Sequence, residues 1–243
     1  MTGTPGRISA AILAGAVSLG ALGAAQAAND AKGDWPKLDN WSQEKLYRGW
    51  SADEMMDEEV YGANGDVIGE VEDFLIGPDG KIARVVVEGG GFLDIGDSHL
   101  ALPWNKMKRR GTDAFVTSAV NEENFGELGL FDNVDDTSPK PKYWRLSNLT
   151  GDLLSLEGNV GYGSVDDVIF SENGKIQAVV ARPSAGYGYG AGARAMPFAH
   201  AQFDPYQPYY RTPYRLSEVE KTDRFNYGRL DGQSWEGEAF GEE

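Results

Sequence analysis

Two stretches of the chain alternate apolar and polar residues in the way that β-hairpins do. Residues 67–76 form a run of strand length, and residues 81–87 form a returning run that is dense in β-branched side chains. The Gly-Pro-Asp-Gly sequence at 77–80 predicts the turn between them, because proline presets φ and glycine accepts positive φ. Asn173-Gly174 predicts the turn of a second hairpin, and Asn64-Gly65 predicts a turn just before the first. The pattern therefore predicts antiparallel β-structure in both halves of the chain.

A duplication relates these two hairpins. Residues 69–86 align without a gap with residues 163–180, and eight of the 18 aligned positions are identical. The same offset of 94 matches Ala-Leu-Pro-Trp at 101–104 to Ala-Met-Pro-Phe at 195–198. This period is much longer than the roughly 20–50 residues of solenoid repeats. We therefore expect two domains, each with its own core and each able to fold alone.

The duplication and the composition divide the chain into segments. Short helices are expected beside the two units, with capping-type starts at Ser51, Asn121 and Ser217. The fold class predicted is all-β with short flanking helices. The expected segments are a signal peptide (1–27), a lead-in segment (28–47), a first unit (48–130), a linker (131–142), a divergent second unit (143–225) and an acidic, disordered tail (226–243).

The first unit carries a set of short motifs in a characteristic order. They are Val60-Tyr61, Asn64-Gly65-Asp66, Ile68-Gly69, Val71-Glu72-Asp73, Pro78-Asp79-Gly80-Lys81-Ile82, Gly90-Gly91-Phe92-Leu93 and Leu100-Ala101-Leu102-Pro103-Trp104. This order resembles the PRC-barrel, a small six-stranded β-barrel found in the H subunit of purple-bacterial photosynthetic reaction centres and in a ribosome-maturation factor. The resemblance covers residues 48–125 and, more loosely, residues 143–220, and it is closest to exported proteins of this family.

The resemblance implies two tandem small PRC-like β-barrels that serve as contact modules and have no catalytic residues. The second unit departs from the family at residues 184–192, where glycine and tyrosine alternate. An accessory or assembly subunit of a photosynthetic membrane complex is one alternative that the resemblance suggests. Peripheral association with a membrane complex therefore stays open.

Charge and composition exclude several other classes of function. The chain has 22 Lys and Arg against 38 Asp and Glu, and its net charge of −16 disfavours binding to nucleic acid. The absence of cysteine excludes thiol catalysis and thiolate metal sites. His99 lies near Asp97 and Ser98, but no nucleophile motif surrounds them, and Lys106 occupies the position that corresponds to His200. We expect no catalytic residues, no cofactor and no enzyme activity.

Clusters of carboxylates leave a second alternative, a periplasmic protein that binds a cation or a small ligand. No stretch has the spacing of a calcium-binding EF-hand loop, so no specific metal site is predicted.

The N-terminus predicts export. Arg7 precedes an apolar run, and small residues at Ala25 and Ala27 suit a signal peptidase, so cleavage is expected after Ala27. An acidic chain without cysteine is typical of the bacterial periplasm.

Aromatic and apolar side chains in glycine- and proline-rich segments are the candidate partner-binding residues. Such side chains on irregular segments are enriched at protein interfaces, although they also close the ends of barrels. The sequence therefore predicts an unidentified protein partner that contacts Phe92, Leu93, Tyr187, Tyr189, Tyr209 and Tyr210.

Overall fold

Both predicted hairpins are present, and each lies at the centre of a mostly antiparallel sheet. In the first hairpin the Gly77 amide donates to the Lys81 carbonyl at 2.8 Å, and in the second the Ser171 amide donates to the Lys175 carbonyl at 2.9 Å. Gly80 and Gly174 both have a φ of 73°, a left-handed conformation that glycine adopts without strain. The computed structural model describes residues 35–89, 98–110, 114–120, 143–189, 191–199, 203–205 and 207–230.

Strands account for most of the regular structure in these ranges. In chain order they are β1 (Trp50–Ser51), β2 (Glu59–Tyr61), β3 (Val67–Ile76), β4 (Ile82–Gly89), β5 (Ser98–Pro103), β6 (Met107–Arg109), β7 (Ala114–Thr117), β8 (Trp144–Arg145), β9 (Leu153–Leu156), β10 (Val160–Phe170), β11 (Ile176–Pro183), β12 (Arg194–Pro197) and β13 (Tyr209–Arg211). The helix α1 spans Leu216–Val219. The 3-10 helices are Leu38–Asn40, Gln43–Arg48, Asp53–Met55, Trp104–Lys106, Leu146–Asn148, Glu157–Asn159, Ala185–Tyr187 and Tyr227–Arg229.

The two sheets have matching strand orders. The first runs β5-β4-β3-β2-β7-β6, and the second runs β12-β11-β10-β9-β13. In each, one pairing is parallel: β7 with β2, and β13 with β9. The prediction of an all-β fold with short helices and two barrel-like domains is confirmed.

The short strand that precedes each barrel pairs with the sheet of the other barrel. β1, which precedes the first barrel, pairs with β10 of the second sheet, so that Trp50 faces Phe170. β8, which precedes the second barrel, pairs with β3 of the first sheet, so that Trp144 faces Ile76. The two tryptophans occupy equivalent positions of the 94-residue repeat. The predicted boundaries at residues 48 and 143 thus assign each of these strands to one unit, whereas its backbone partner lies in the other.

The hairpin turns also meet. The Ile82 amide donates to the Gly174 carbonyl and the Ile176 amide donates to the Gly80 carbonyl, both at 2.9 Å. These reciprocal hydrogen bonds join equivalent turn positions of the two repeats.

One hydrophobic core serves both barrels. The Trp50 ring lies 4.6 Å from that of Phe170 and 5.7 Å from those of Phe74 and Trp104, so aromatic residues of both sheets are in contact. All of the described residues belong to one compact unit. The expectation that each unit has a separate core is therefore wrong, because the two sheets bury apolar residues against each other.

Two buried carboxylates hold the exchanged strands. Asp167 accepts hydrogen bonds from the Ser51 hydroxyl at 2.6 Å and from the Asp53 amide at 3.1 Å. Its equivalent in the first repeat, Asp73, accepts from the Ser147 hydroxyl at 2.6 Å. Each carboxylate has about 1% of its residue surface exposed. The start of each repeat is thus tied to the central strand of the other.

Burial gives Asp167 a pH-dependent role in stability. Desolvation is the largest effect and raises the pKa of its carboxyl group from 3.8 to about 6, while hydrogen bonds from Ser51 and two backbone amides act in the opposite direction. The charge of Asp53 raises this pKa further. The folded state therefore binds the proton more tightly than the unfolded chain does. The stabilisation from protonation is complete below about pH 4 and is lost as the pH rises through about 6.

Replacing Asp167 with asparagine should flatten this part of the pH profile. Asp167→Asn keeps the size of the side chain and one acceptor oxygen but cannot titrate. Between pH 4 and 7, the unfolding free energy of the variant should therefore decrease less than that of the wild type, by on the order of 1–3 kcal/mol. Denaturant titrations at several pH values measure the unfolding free energy of both proteins. Asp166→Asn, one residue earlier with a partly exposed side chain, is the control and should keep the slope. Identical slopes for wild type and Asp167→Asn would contradict the assignment.

Both chain ends of the described fold pack against the second barrel. Ala178 and Val180 of β11 point away from the shared core and form a second cluster with Leu46, Tyr47 and Phe225. Residues 226–230, which the sequence predicted to be disordered, are ordered. The Arg229 guanidinium lies 4.1 Å from the centre of the Tyr47 ring and pairs with Glu44 at 2.6 Å. Leu230 packs on the second cluster, and these contacts hold the segment in place. The rest of the predicted tail, 231–243, lies outside the described residues.

None of the helices in the described ranges is long and apolar enough to span a membrane. The predicted signal peptide, residues 1–27, lies outside these ranges.

Candidate functional site

The solvent-facing side of the first sheet carries a row of acidic side chains. Strand pairing places Glu59 beside Glu70, Glu70 beside Glu88, and Glu88 beside His99. The three glutamates are exposed, as is typical of the wet side of an antiparallel sheet.

The second sheet replaces this acidic row with apolar, neutral and basic groups. Strand pairing places Tyr209 beside Leu153, Leu153 beside Ser164, and Ser164 beside Arg182. Leu153, Ser164 and Arg182 stand at the repeat positions of Glu59, Glu70 and Glu88. The chemical character of one face has therefore changed while the backbone beneath it has kept the same pairing.

A groove lies over this row. Its volume is about 490 Å³. We call it the tyrosine groove and define it by Leu153, Ser164, Arg182, Tyr187 and Tyr209, which all line it. Leu153 is 68% exposed and Tyr187 is 54% exposed, which is unusual for large apolar side chains on a sheet. Exposed apolar groups beside a concavity are typical of surfaces that bind another molecule.

A stack of three tyrosines ends at the groove, where Tyr187 is the member that lines it. The ring of Tyr187 lies 5.7 Å from that of Tyr189, which lies 5.7 Å from that of the buried Tyr162. The Tyr187 hydroxyl also closely covers Gly161, where a Cβ atom would lie 2.7 Å from the phenolic oxygen. Any side chain at Gly161 would therefore displace Tyr187. The stack fixes an exposed aromatic ring on a rigid base, which reduces the entropy lost when a partner binds.

Two guanidinium groups border the groove. Arg182 makes two hydrogen bonds with Asp166, at 2.8 and 2.6 Å, and 65% of its side chain remains exposed. Arg211 lies with its guanidinium carbon 4.3 Å from the centre of the Tyr209 ring. Arginine held by stacking or by a carboxylate can still donate to an incoming acceptor from its free N–H groups.

The predicted partner-binding residues separate into three groups. Tyr187 and Tyr209 line the tyrosine groove, and Tyr189 supports Tyr187 from behind. Tyr210 is only 1% exposed, and its ring stacks on that of Phe198 at 5.7 Å. It is therefore a core residue, because the tyrosines of β13 alternate between the groove and the interior. Phe92 and Leu93 lie outside the described residues.

Sequence reasoning missed three residues that line the groove, Leu153, Ser164 and Arg182, and one beside it, Arg211. A signal for three of them was present, because the 94-residue offset pairs the first sheet's glutamates with Leu153, Ser164 and Arg182. No comparable signal marks Arg211, which the parallel pairing of β13 with β9 brings beside the groove.

The groups weighed for catalysis do not come together in the described ranges. The His99 Nε2 atom lies 3.3 Å from a carboxylate oxygen of Glu72, a residue that the sequence analysis did not link to it. Asp97 and His200 lie outside the described residues, and the side chain of Ser98 is not described. Among the residues described, no group of three His, Asp or Glu side chains is placed to hold a metal ion.

One segment of the chain, which contains the first barrel, matches a known family model. Residues 51–124 match the family model described as the PRC-barrel domain. This segment contains β2 to β7, which are all the strands of the first sheet except β8, the strand that precedes the second barrel. No curated protein matches the chain.

Proposed function

We propose that this protein is a non-catalytic protein-interaction module of the periplasm, in which the tyrosine groove binds a protein partner. PRC-barrel domains are in general non-catalytic and suggest interaction with other proteins. The observation that carries the proposal is the replacement of the acidic row by Leu153, Ser164 and Arg182 beneath the exposed ring of Tyr187. Tyrosine and arginine, like tryptophan, are enriched among the residues that supply most of the binding energy at protein interfaces.

The second barrel is proposed to be a PRC-barrel as well. The support is the eight identities between residues 69–86 and 163–180, together with the matching strand order of the two sheets. In this view the first barrel retains an acidic face, and the second has acquired the binding face. Two barrels on one core give a rigid scaffold that holds the groove in a fixed geometry.

Export to the periplasm rests on the predicted signal peptide. The Arg7-containing start, the apolar run and the small residues before Ala28 support cleavage and release. The partner would then be an envelope protein.

A charge placed in the groove should weaken binding without unfolding the protein. We expect Leu153→Asp to weaken partner capture by about 1–3 kcal/mol, because an anchor in the centre of an apolar contact becomes a desolvated carboxylate. The unfolding free energy should change by less than about 0.5 kcal/mol, because the side chain is exposed.

The measurement is crosslinking in the native envelope with a photoreactive residue at Tyr209, followed by quantitative recovery of the crosslinked partner. Val67→Asp is the matched control, because Val67 is an exposed apolar residue on the first sheet, 43% accessible. It should leave the crosslinked yield unchanged. Equal losses in both variants, or none in either, would show that the tyrosine groove is not the binding surface.

A further inference from the structure

The C-terminal part of the described chain covers one end of the second sheet's solvent-facing side. Phe225 and Leu230 pack over Ala178 and Val180, and the next outward residue on that strand is Arg182. The Tyr227 hydroxyl lies 3.4 Å from the Asp166 carboxylate, which pairs with Arg182. The covered part of the sheet therefore ends where the tyrosine groove begins.

Thirteen residues follow Leu230, and their composition complements the groove. They contain five carboxylates, no lysine or arginine, and two large aromatic residues, Trp235 and Phe240. The groove offers the exposed guanidinium groups of Arg182 and Arg211 beside the exposed side chains of Leu153 and Tyr187. On a chain with a net charge of −16, this face contrasts with the row of Glu59, Glu70 and Glu88 on the first sheet.

The length of this segment also suits the site. The row from Arg182 to Tyr209 crosses four strands and is about 14 Å wide, at roughly 4.8 Å for each strand spacing. The five residues from Leu230 to Trp235 reach at most about 17 Å when extended. This reach exceeds the width of the row, so the segment is long enough to lie along it.

We propose that the tyrosine groove binds the chain's own C-terminal segment, residues 231–243, which a protein partner must displace. Trp235 and Phe240 occupy the apolar surface of Leu153, Tyr187 and Tyr209, and the segment's carboxylates accept hydrogen bonds from Arg182 and Arg211. Self-docking rests on the proposed function, in which the groove is the partner-binding surface, and it would regulate access of the partner to that surface. Because the segment is tethered beside the site, its effective concentration exceeds that of a free competitor.

The absence of cysteine in the wild-type chain allows a direct test in the intact protein. A single nitroxide label is attached to residues 28–243 carrying Ala239→Cys, and amide signals are compared between the oxidised and reduced label by NMR. We expect the amides of Leu153, Ser164 and Tyr187 to lose most of their intensity. The amides of Glu59, Glu70 and Glu88, at equivalent positions of the first sheet, serve as an internal control and should keep theirs.

A second variant separates specific docking from general proximity. Trp235→Ala combined with Phe240→Ala, in the same labelled chain, should restore the signals of the groove, and Arg182→Gln should restore them in part. No signal loss at the groove, or equal loss on both sheets, overturns the inference. If the label detects no contact while Leu153→Asp still weakens partner capture, the self-docking is wrong and the proposed function stands.

Discussion

A fragment of residues 45–130 is expected to show no cooperative unfolding transition as a monomer. It contains every strand of the first sheet except β8, but it loses Phe170, against which Trp50 stacks at 4.6 Å. Asp73 loses the hydroxyl and the amide of Ser147, both of which donate to its buried carboxylate. An exposed aromatic face, together with a carboxylate that keeps only the Phe74 amide of these donors, costs several kcal/mol, comparable to the roughly 5–15 kcal/mol by which a typical domain is stable.

Any folded form of this fragment should be a symmetric dimer. Trp50 and Trp144 hold equivalent repeat positions, so β1 of one copy can pair with β3 of another as β8 does in the intact chain. The midpoint of thermal unfolding should therefore rise with fragment concentration. Circular dichroism and sedimentation measure this, with residues 35–230 as the control. A monomeric fragment with a cooperative, concentration-independent transition would show that the barrels are independent domains after all.

Replacing the tryptophan at the centre of the shared core should destabilise the whole molecule. Trp50 is 3% exposed and contacts Phe170, Phe74 and Trp104, so that Trp50→Ala leaves a cavity between the two sheets. We expect a loss of about 3–5 kcal/mol in unfolding free energy, the range for truncation of buried aromatic side chains.

One transition should report this loss for both barrels, because they share the core. Denaturant unfolding followed by fluorescence and by circular dichroism should give the same lowered midpoint. Leu153→Ala, which truncates an exposed side chain in the second barrel, is the control and should change stability by less than about 0.5 kcal/mol. A Trp50→Ala protein that unfolds in two separate steps would contradict the single core.

The candidate site illustrates how far residue types alone can guide a prediction. The sequence predicts partner binding by Tyr187, Tyr189 and Tyr209 because they lie among glycine and proline, and all three lie in or behind the tyrosine groove. Tyr210 is predicted on the same grounds and is buried. Neighbouring residues of a strand face opposite sides, so the choice between Tyr209 and Tyr210 depends on where β13 pairs, and that pairing is with a strand more than fifty residues away.

The sequence by itself determined the β-hairpins and their repetition. The turns at 77–80 and 172–174 act through local backbone preferences, and the flanking β-branched runs favour strands wherever they are placed. The offset of 94 residues likewise required no structure, because identical local patterns give the same meander twice. These features depend on neighbours in the chain, which a reader of the sequence can see.

Tertiary structure decided how the two barrels combine and where the groove lies. The exchange of β1 and β8 pairs residues that are about 70 to 120 positions apart, and the core joins Trp50 to Phe170 across the longer of these separations. Both halves contain buried apolar strands. The apolar pattern of a strand does not indicate whether its side chains are buried within one barrel or against the other barrel. The groove likewise exists only once β9, β10, β11 and β13 lie side by side, since pairing across strands brings Leu153, Ser164, Arg182 and Tyr209 into one row.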